Sequence, residues 1–277
     1  MTMICDSHVH VGTPQNGEFP TEAKPRLVAD LLRRCGVSEF IFSSLGAQMG
    51  VLFKDIERDA VETKEAFGVG AHAFLWMTGR YYDADPDLKA LDSGIWEGVK
   101  LHERETPWVE ERPKDFERIL CILEERGLPI QVHAGEDDGC RPGDLVPFFR
   151  RHPGLRVDVS HCRPLDDAIR ALKECPWLFA DTAFMPPENY AALMAAGVAE
   201  RVMFGTDFPT HVVCYEGTAE ELYRNDLEGA REYGYSEAVM SGNFRRFLAG
   251  GATGRYGQDG TYADCPGILK QRTGSLR

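Results

Sequence analysis

Short apolar runs alternate with longer amphipathic stretches along most of the chain. The apolar runs are rich in β-branched and aromatic residues and do not alternate strictly between apolar and polar positions. Such runs are typical of strands buried on both faces of a parallel sheet, and the amphipathic stretches between them can form the helical crossovers that parallel strands require. The pattern predicts eight strand–helix units, whose strands end near positions 11, 45, 77, 102, 135, 161, 183 and 207.

Eight such units in about 250 residues favour an α/β fold of the (β/α)8 TIM-barrel type, with a doubly wound open sheet as the competing arrangement. Gly36, Gly68 and Gly127 follow charged last turns of the predicted helices, as helix ends prefer. We assign the barrel to residues 1–249. Residues 250–277 are rich in glycine and break the periodicity, so we expect a short irregular C-terminal tail there.

A TIM barrel carries its functional side chains at the carboxyl ends of its strands, and this rule tests the assignment. The strands were located from apolar runs alone, yet polar and metal-competent side chains fall at their ends. The set consists of His8 and His10 (strand 1), Lys100 and His102 (strand 4), His133 (strand 5), His161 (strand 6), Asp181 (strand 7) and Asp207 (strand 8).

The segment DSHVH at 6–10 places two imidazoles on one side of the first strand. Because side chains of a strand alternate between its faces, Asp6, His8 and His10 are expected to face the barrel interior, with Asp6 behind the histidines as an orienting partner. Imidazole nitrogen and carboxylate oxygen suit zinc and other divalent transition metals. The pair alone also fits a hydrogen-bonded polar patch, and the strand-end His133, His161 and Asp207 favour the metal site.

Five strand-end motifs resemble those of the amidohydrolase superfamily, in particular its amidohydrolase-2 branch. The resemblance spans about residues 3–249 and implies a distorted TIM barrel that holds one or two divalent metal ions, with zinc expected and manganese or iron as options. It implies His8, His10, His133 and Asp207 as metal ligands, and His161 as a ligand of a second metal or a group acting on the substrate. The motifs are DSHVH (6–10), VKLH (99–102), QVHAG (131–135), VSH (159–161) and FGTDFP (204–209).

Several residues near the predicted site keep more than one interpretation. Lys100 lies in a nearly apolar strand and needs a partner, a shifted pKa or carboxylation, because a buried lone cation is costly. His102 either takes part in the site or bonds to a loop, and Asp181 either lines the pocket or caps the next helix. The aromatic and basic residues after strand 3 are expected either to set specificity or to close the barrel mouth: Trp76, Arg80, Tyr81 and Tyr82.

The chemistry that these groups predict is hydrolysis of an amide, lactone or related ester bond in a small molecule through a metal-activated water. Asp207 is expected to accept the water proton and pass it to the leaving group, while His161 or Lys100 stabilises the oxyanion. The alternative is non-oxidative decarboxylation of a small carboxylic acid, which the amidohydrolase-2 branch also includes. A barrel that has lost catalysis and a metal-dependent nuclease are less favoured.

Composition limits the kinds of partner that the protein can bind and the cellular compartment in which it can be expected. A net charge of -13 argues against nucleic acid, and no apolar run reaches the roughly 20 residues that a membrane helix needs. The first residues enter the first strand without a signal-peptide pattern, and eight cysteines without a C-x-x-C pair favour reduced thiols, so we expect a cytoplasmic protein. The oligomeric state stays open, with a homodimer as one option.

Overall fold

The structure, a computed structural model, describes residues 3–12, 23–47, 52–78, 84–137 and 139–249. Eight parallel strands form one sheet in which each strand pairs with the next along the chain. This order confirms the barrel and excludes a doubly wound sheet, whose strand order reverses. The strands are β1 (Ile4–Val11), β2 (Val37–Ser44), β3 (Ala71–Trp76), β4 (Gly98–His102), β5 (Ile130–His133), β6 (Val157–Val159), β7 (Leu178–Asp181) and β8 (Val202–Met203).

The segment that follows β8 closes the barrel against β1. The Ser7 N–H donates to the Phe204 carbonyl at 2.9 Å, the Asp207 N–H to the His8 carbonyl at 2.8 Å, and the His10 N–H to the Phe208 carbonyl at 2.7 Å. These bonds satisfy the edge groups that an open sheet would expose. They also fix Asp207 beside His8 and His10.

Helices on the outside of the barrel connect the strands, and their sequences show why. In Pro113–Arg126 the buried Phe116, Ile119, Leu120 and Leu123 recur at helical spacing and face the sheet. The helices are α1 (Pro25–Arg34), α2 (Phe53–Phe67), α3 (Asp85–Ala90), α4 (Trp108–Glu111), α5 (Pro113–Arg126), α6 (Pro142–Phe149), α7 (Leu165–Glu174), α8 (Tyr190–Ala195), α9 (Ala219–Glu232) and α10 (Asn243–Ala249).

The amino end of the barrel is plugged by apolar side chains. Phe244 and Phe247 of α10 form a buried cluster with residues from four strands, among them Phe74. Gly98, the first residue of β4, leaves room for this packing because a Cβ there would lie 2.5 Å from the Phe74 ring. The plug leaves the carboxyl end as the side on which a site can form.

The strands before His161 and Asp207 both end earlier than the sequence pattern indicates. β6 ends at Val159 and β8 at Met203, so His161 and Asp207 lie in the turns that follow. Both residues have positive φ, 77° for His161 and 59° for Asp207, which non-glycine residues rarely adopt and which extended strands exclude. The turns, and not the strands, therefore set the direction of both side chains at the carboxyl end of the barrel.

The proposed boundary at 249 and the tail at 250–277 stay predictions, because the tail lies outside the described residues. Across the described ranges, the structure contains no helix of the length and apolarity required to cross a membrane.

Candidate metal centre

A cavity of ≈ 160 Å³ opens at the carboxyl end of the barrel. Side chains from β1, β3, β4, β5 and the loop after β8 line it, so that residues distant in sequence meet at one place. The lining residues are His8, His10, Leu45, Trp76, Lys100, His102, His133, Asp207 and Thr210.

His8 is held from below by Asp181, the last residue of β7. Its Nδ1 lies 2.8 Å from Asp181 Oδ2, and both residues are fully buried. The carboxylate also accepts hydrogen bonds from the backbone N–H groups of His161 at 2.8 Å and Ala183 at 3.0 Å. Burial alone would raise the pKa of Asp181, but His8 and these hydrogen bonds hold it below its usual value. The ionised Asp181 accepts the Nδ1–H of His8, so that Nε2 is the His8 nitrogen available to the site.

Asp207 lies between the two histidines of β1. Its Oδ1 is 2.9 Å from His10 Nε2 and 3.7 Å from His8 Nε2, without the alignment of a hydrogen bond to either ring. Burial alone would raise the pKa of Asp207, but the neighbouring His8 and His10 hold it well below its usual value. A buried carboxylate oxygen without a hydrogen bond, facing imidazole nitrogens, is an expected feature of a cation site.

His161 and His133 face each other across the mouths of β5 and β6. His161 Nε2 lies 2.9 Å from His133 Nδ1, and His161 Nδ1 lies 3.2 Å from the Ala183 carbonyl, which can only accept a hydrogen bond. Burial lowers the pKa of His161 to about 3 and that of His133 well below its usual value, so both rings are neutral near pH 7. The proton of His161 is therefore on Nδ1, and its Nε2 offers a lone pair.

Lys100 is fully buried at the base of this group. Its Nζ lies 3.0 Å from His8 Nε2 and 3.5 Å from the Ser160 hydroxyl. Burial lowers the pKa of Lys100, while Asp207, Asp181 and Asp158 act in the opposite direction. Among the described residues no carboxylate lies within ion-pair distance of the Nζ atom, so Lys100 is compensated by charges around it rather than by a direct partner.

The donor set fits a divalent metal ion. One ligand atom each of His8, His161 and Asp207 lies within 4.8 Å of the other two, and all three residues are buried. His161 Nε2 has a lone pair, His8 Nε2 is the nitrogen that faces the group, and the carboxylate of Asp207 supplies a negative charge. His10 and His133 contact this group directly, through Asp207 and His161 respectively. The fold thus brings together all five residues predicted as ligands.

A row of polar residues below the histidines was missed in the sequence. Gln131 of β5 pairs in register with Lys100 of β4 and Asp158 of β6. Its amide donates to Asp158 Oδ2 at 2.8 Å and to the Ser7 carbonyl at 2.9 Å. Burial and the charge of Asp181 raise the pKa of Asp158 well above its usual value, which favours the protonated carboxyl. The signal was present, since Gln131 and Asp158 are polar residues inside buried strands.

The expected role of Asp6 is wrong. Asp6 accepts hydrogen bonds from the Thr206 hydroxyl at 2.8 Å, the Tyr223 hydroxyl at 2.9 Å and the His8 backbone N–H at 3.0 Å, and among the described residues it bonds to no imidazole ring. The register of β1 shifts between Asp6 and Val9, and this irregularity breaks the alternation on which the prediction relied. Asp6 ties β1 to the turn before Asp207 and to α9, whereas Asp181 orients His8.

His102 and Trp76 form part of the cavity wall. The His102 ring stacks on the His133 ring with centroids 3.7 Å apart and also stacks on the Trp76 ring at 5.5 Å. Burial lowers the pKa of His102 to about 2. His102 therefore belongs to the site instead of a loop contact. Arg80, Tyr81 and Tyr82, predicted beside Trp76, lie outside the described residues.

Comparisons with known proteins agree with this geometry. The sequence profile of the amidohydrolase family matches residues 5–248. No curated protein matches the chain significantly. An amidohydrolase from Burkholderia multivorans with bound zinc has a similar structure, with a TM-score of 0.64, 16% identity, and coverage of 89% of this chain and 99% of that chain.

Two further solved structures have the same fold. A probable 2-pyrone-4,6-dicarboxylic acid hydrolase from Acinetobacter baumannii has a TM-score of 0.64 at 13% identity, covering 90% of this chain and 100% of that chain. The 4-oxalomesaconate hydratase from Rhodopseudomonas palustris has a TM-score of 0.59 at 13% identity, covering 90% and 96%. At these identities the likeness establishes a shared fold.

Proposed function

The chain belongs to the amidohydrolase family and is an enzyme, and we propose that it hydrolyses an amide, lactone or related ester bond of a small molecule with one or two divalent metal ions. The observation that carries the proposal is the meeting of His8, His161 and Asp207 at the carboxyl end of the barrel, with Lys100 3.0 Å from His8. Zinc is the expected metal because imidazole and carboxylate ligands suit it, and manganese or iron remains an option.

His8, His10, His133, His161 and Asp207 would hold the metal. When bound, a divalent cation would lower the pKa of a coordinated water toward about 7 and polarise the carbonyl under attack. His161 suits a ligand better than a general acid, because its neutral ring has its one N–H directed at the Ala183 carbonyl. The lone pair on His161 Nε2 is then available to bind the metal.

Asp207 moves the proton in this proposal. Its ionised carboxylate accepts a proton from the attacking water and passes it to the leaving nitrogen or oxygen as the carbon–heteroatom bond breaks. The low pKa that His8 and His10 impose keeps Asp207 ionised near neutral pH. Lys100 lacks a direct carboxylate partner among the described side chains. His8 Nε2 and the Ser160 hydroxyl can accept two of its three N–H groups, which leaves one to stabilise the developing oxyanion.

The test is a panel of carbonyl substrates assayed before and after metal removal. Dihydrocoumarin, 2-pyrone-4,6-dicarboxylate, 4-nitrophenyl acetate and an N-acetyl amino acid cover lactone, ester and amide bonds. We expect hydrolysis of at least one class, loss of activity on chelation and recovery with zinc or manganese. Release of carbon dioxide from candidate acids without hydrolysis would assign the chain to decarboxylation instead, and full activity after complete metal removal would contradict the proposed metal.

The proposed partner is a small molecule, and the net charge of -13 supports the exclusion of nucleic acid. We also propose a cytoplasmic location, which the absence of a C-x-x-C pair among the eight cysteines and the free thiols of Cys5, Cys35, Cys140, Cys162, Cys175 and Cys214 support. A homodimer stays a prediction.

A further inference from the structure

His102 ends β4 and stands opposite His133 in the register of β4 and β5. Its ring is stacked on both sides. The His133 ring covers one side at 3.7 Å with an interplanar angle of 11°, and the Trp76 ring covers the other at 5.5 Å with an angle of 4°. Since both flat faces are occupied, His102 can meet a molecule in the cavity only with its edge.

The two ring nitrogens of His102 differ in their surroundings. Nδ1 is buried and makes no hydrogen bond, and within the part of the chain that the structure describes no group hydrogen-bonds to Nε2 either. Nε2 is not among the buried polar atoms that lack a partner, and the residue lines the cavity, so Nε2 is the nitrogen open to it. The edge presented to the cavity is therefore the one that carries Nε2.

The position of the proton follows from these surroundings. A neutral imidazole has one N–H, and its other nitrogen accepts. A buried N–H without a partner is rarer in proteins than an unsatisfied acceptor, because the donor loses its hydrogen bond to water outright. The proton therefore belongs on Nε2, where water or a ligand in the cavity can accept it.

We propose that His102 is a further catalytic residue, which donates its Nε2–H to the substrate oxygen that becomes negative during the attack. This inference rests on the proposed hydrolysis and adds a donor to that site. No bond to hydrogen breaks at His102, since the ring only donates a hydrogen bond. The stack of Trp76 and His133 fixes the direction of the donor before the substrate arrives, which is how such donors lower the barrier.

The variants His102→Phe and His102→Gln separate the donor from the stack. Phenylalanine keeps a flat ring between Trp76 and His133 but has no N–H, whereas glutamine has an amide N–H but no ring. We expect His102→Phe to keep its metal content and thermal midpoint and to lose about 100-fold in kcat, the usual cost of removing one oxyanion donor. His102→Gln should retain more kcat than His102→Phe.

Two measurements on the metal-loaded protein do not depend on turnover. Nitrogen NMR of the wild-type side chain should show the Nε2–H tautomer of His102, assigned by its disappearance in His102→Phe. Methylphosphonate, a tetrahedral anion like the intermediate, should bind His102→Phe at least about tenfold more weakly than the wild type, as expected for a hydrogen bond to a charged group.

An Nδ1–H tautomer, or a His102→Phe variant with wild-type kcat and methylphosphonate affinity, would overturn the inference. Loss of metal from His102→Phe would also overturn it, since His102 would then support His133 rather than the substrate. If no carbonyl probe is hydrolysed but methylphosphonate binding still depends on His102, the proposed hydrolysis fails and the donor stands.

Discussion

Histidines at the two ends of the barrel are grouped differently: His72 lies in an ion-pair cluster at the amino end, whereas His8, His10, His102 and His133 line one cavity at the carboxyl end. At the amino end, His72 Nδ1 lies 2.7 Å from Glu97 Oε2, and Lys64 Nζ lies 2.6 Å from Oε1 of the same carboxylate. At the carboxyl end, His161 faces His133 nitrogen to nitrogen at 2.9 Å. The amino-end group balances its charges within itself, as structural ion pairs do.

The carboxyl end lacks this balance. The neutral rings of His102 and His133, a buried lysine without a direct carboxylate partner among the described residues, and Asp207 Oδ1 within 3.7 Å of two imidazoles all lie around one cavity. Burying such groups costs stability unless something compensates them. The comparison teaches that a carboxylate partner alone does not separate a structural histidine from one that can bind a metal, since His8 also has one in Asp181. The convergence of several imidazoles and the Asp207 carboxylate on one cavity separates them.

The largest expected effect comes from Asp207→Asn at the carboxyl end. The amide keeps the size of the side chain but cannot accept and pass on a proton, so kcat should fall by about 10²–10⁴-fold. Steady-state kinetics on the best substrate of the panel measure it. A variant that keeps more than a tenth of the wild-type kcat would show that Asp207 is not the proton carrier.

Asp181→Asn tests the support of His8. An amide no longer offers a charged acceptor for the His8 Nδ1–H at 2.8 Å, so metal affinity should fall by about 10–100-fold. Competition with a chromogenic chelator measures this affinity. Asp158→Asn is the matched control, because the raised pKa of Asp158 favours its neutral form and Asp158 has no hydrogen bond to His8, so its change should cost much less. Equal losses in the two variants would refute the different roles of these buried carboxyls.

Glu103, directly after His102, gives a test by pH. Burial raises its pKa to about 8, whereas an unfolded glutamate titrates near about 4.3. Between these values the folded state binds more protons than the unfolded state, so this group makes the free energy of unfolding fall as the pH rises, until it ionises in both states.

Glu103→Gln should remove this dependence. Relative to the wild type, the free energy of unfolding of the variant should increase as the pH rises from 5 to 8. The slope is about 1.4 kcal/mol for each pH unit, so the total increase is a few kcal/mol at most. Urea unfolding at both pH values measures the difference. Glu105→Gln, at an exposed neighbouring position, is the control. A Glu103→Gln effect that is the same at pH 5 and pH 8 would contradict the buried, protonated acid.

The smallest effect is expected at the amino end. Glu97→Gln removes the carboxylate charge that His72 and Lys64 share, but the Glu97 side chain is 40% exposed, so the loss of stability should be about 0.5–1 kcal/mol. Its kcat should equal that of the wild type. A large loss of activity in this variant would remove the distinction between the two ends.

The fold was predictable because local pattern and topology agree. Apolar runs separated by amphipathic helices are typical of a parallel sheet. Eight such units in about 250 residues favour a sheet that closes into a barrel. The same reasoning placed His8, His10 and His133 correctly at strand ends. It could not place Asp6, because alternation holds only in an unbroken strand and β1 shifts register after Asp6.

The fine geometry of the site depends on contacts that sequence patterns do not contain. The positive φ of His161 and Asp207 arises in turns shaped by neighbouring strands, so the sequence suggested strand ends where the structure has bends. The stack of His102 between Trp76 and His133 follows from the register of three strands. Register comes from the closed barrel as a whole, and the apolar pattern of one strand does not define it.

The most direct test of the central claim is the X-ray absorption spectrum of the zinc-loaded protein at the zinc edge, with the zinc content counted per chain. The account predicts one or two zinc ions bound by nitrogen and oxygen at about 2.0–2.2 Å, with imidazole scattering. The eight cysteines are the competing ligands, and they would appear as sulfur at about 2.3 Å. A sulfur shell, or a chain that binds no zinc, would contradict the His and Asp centre at the barrel mouth.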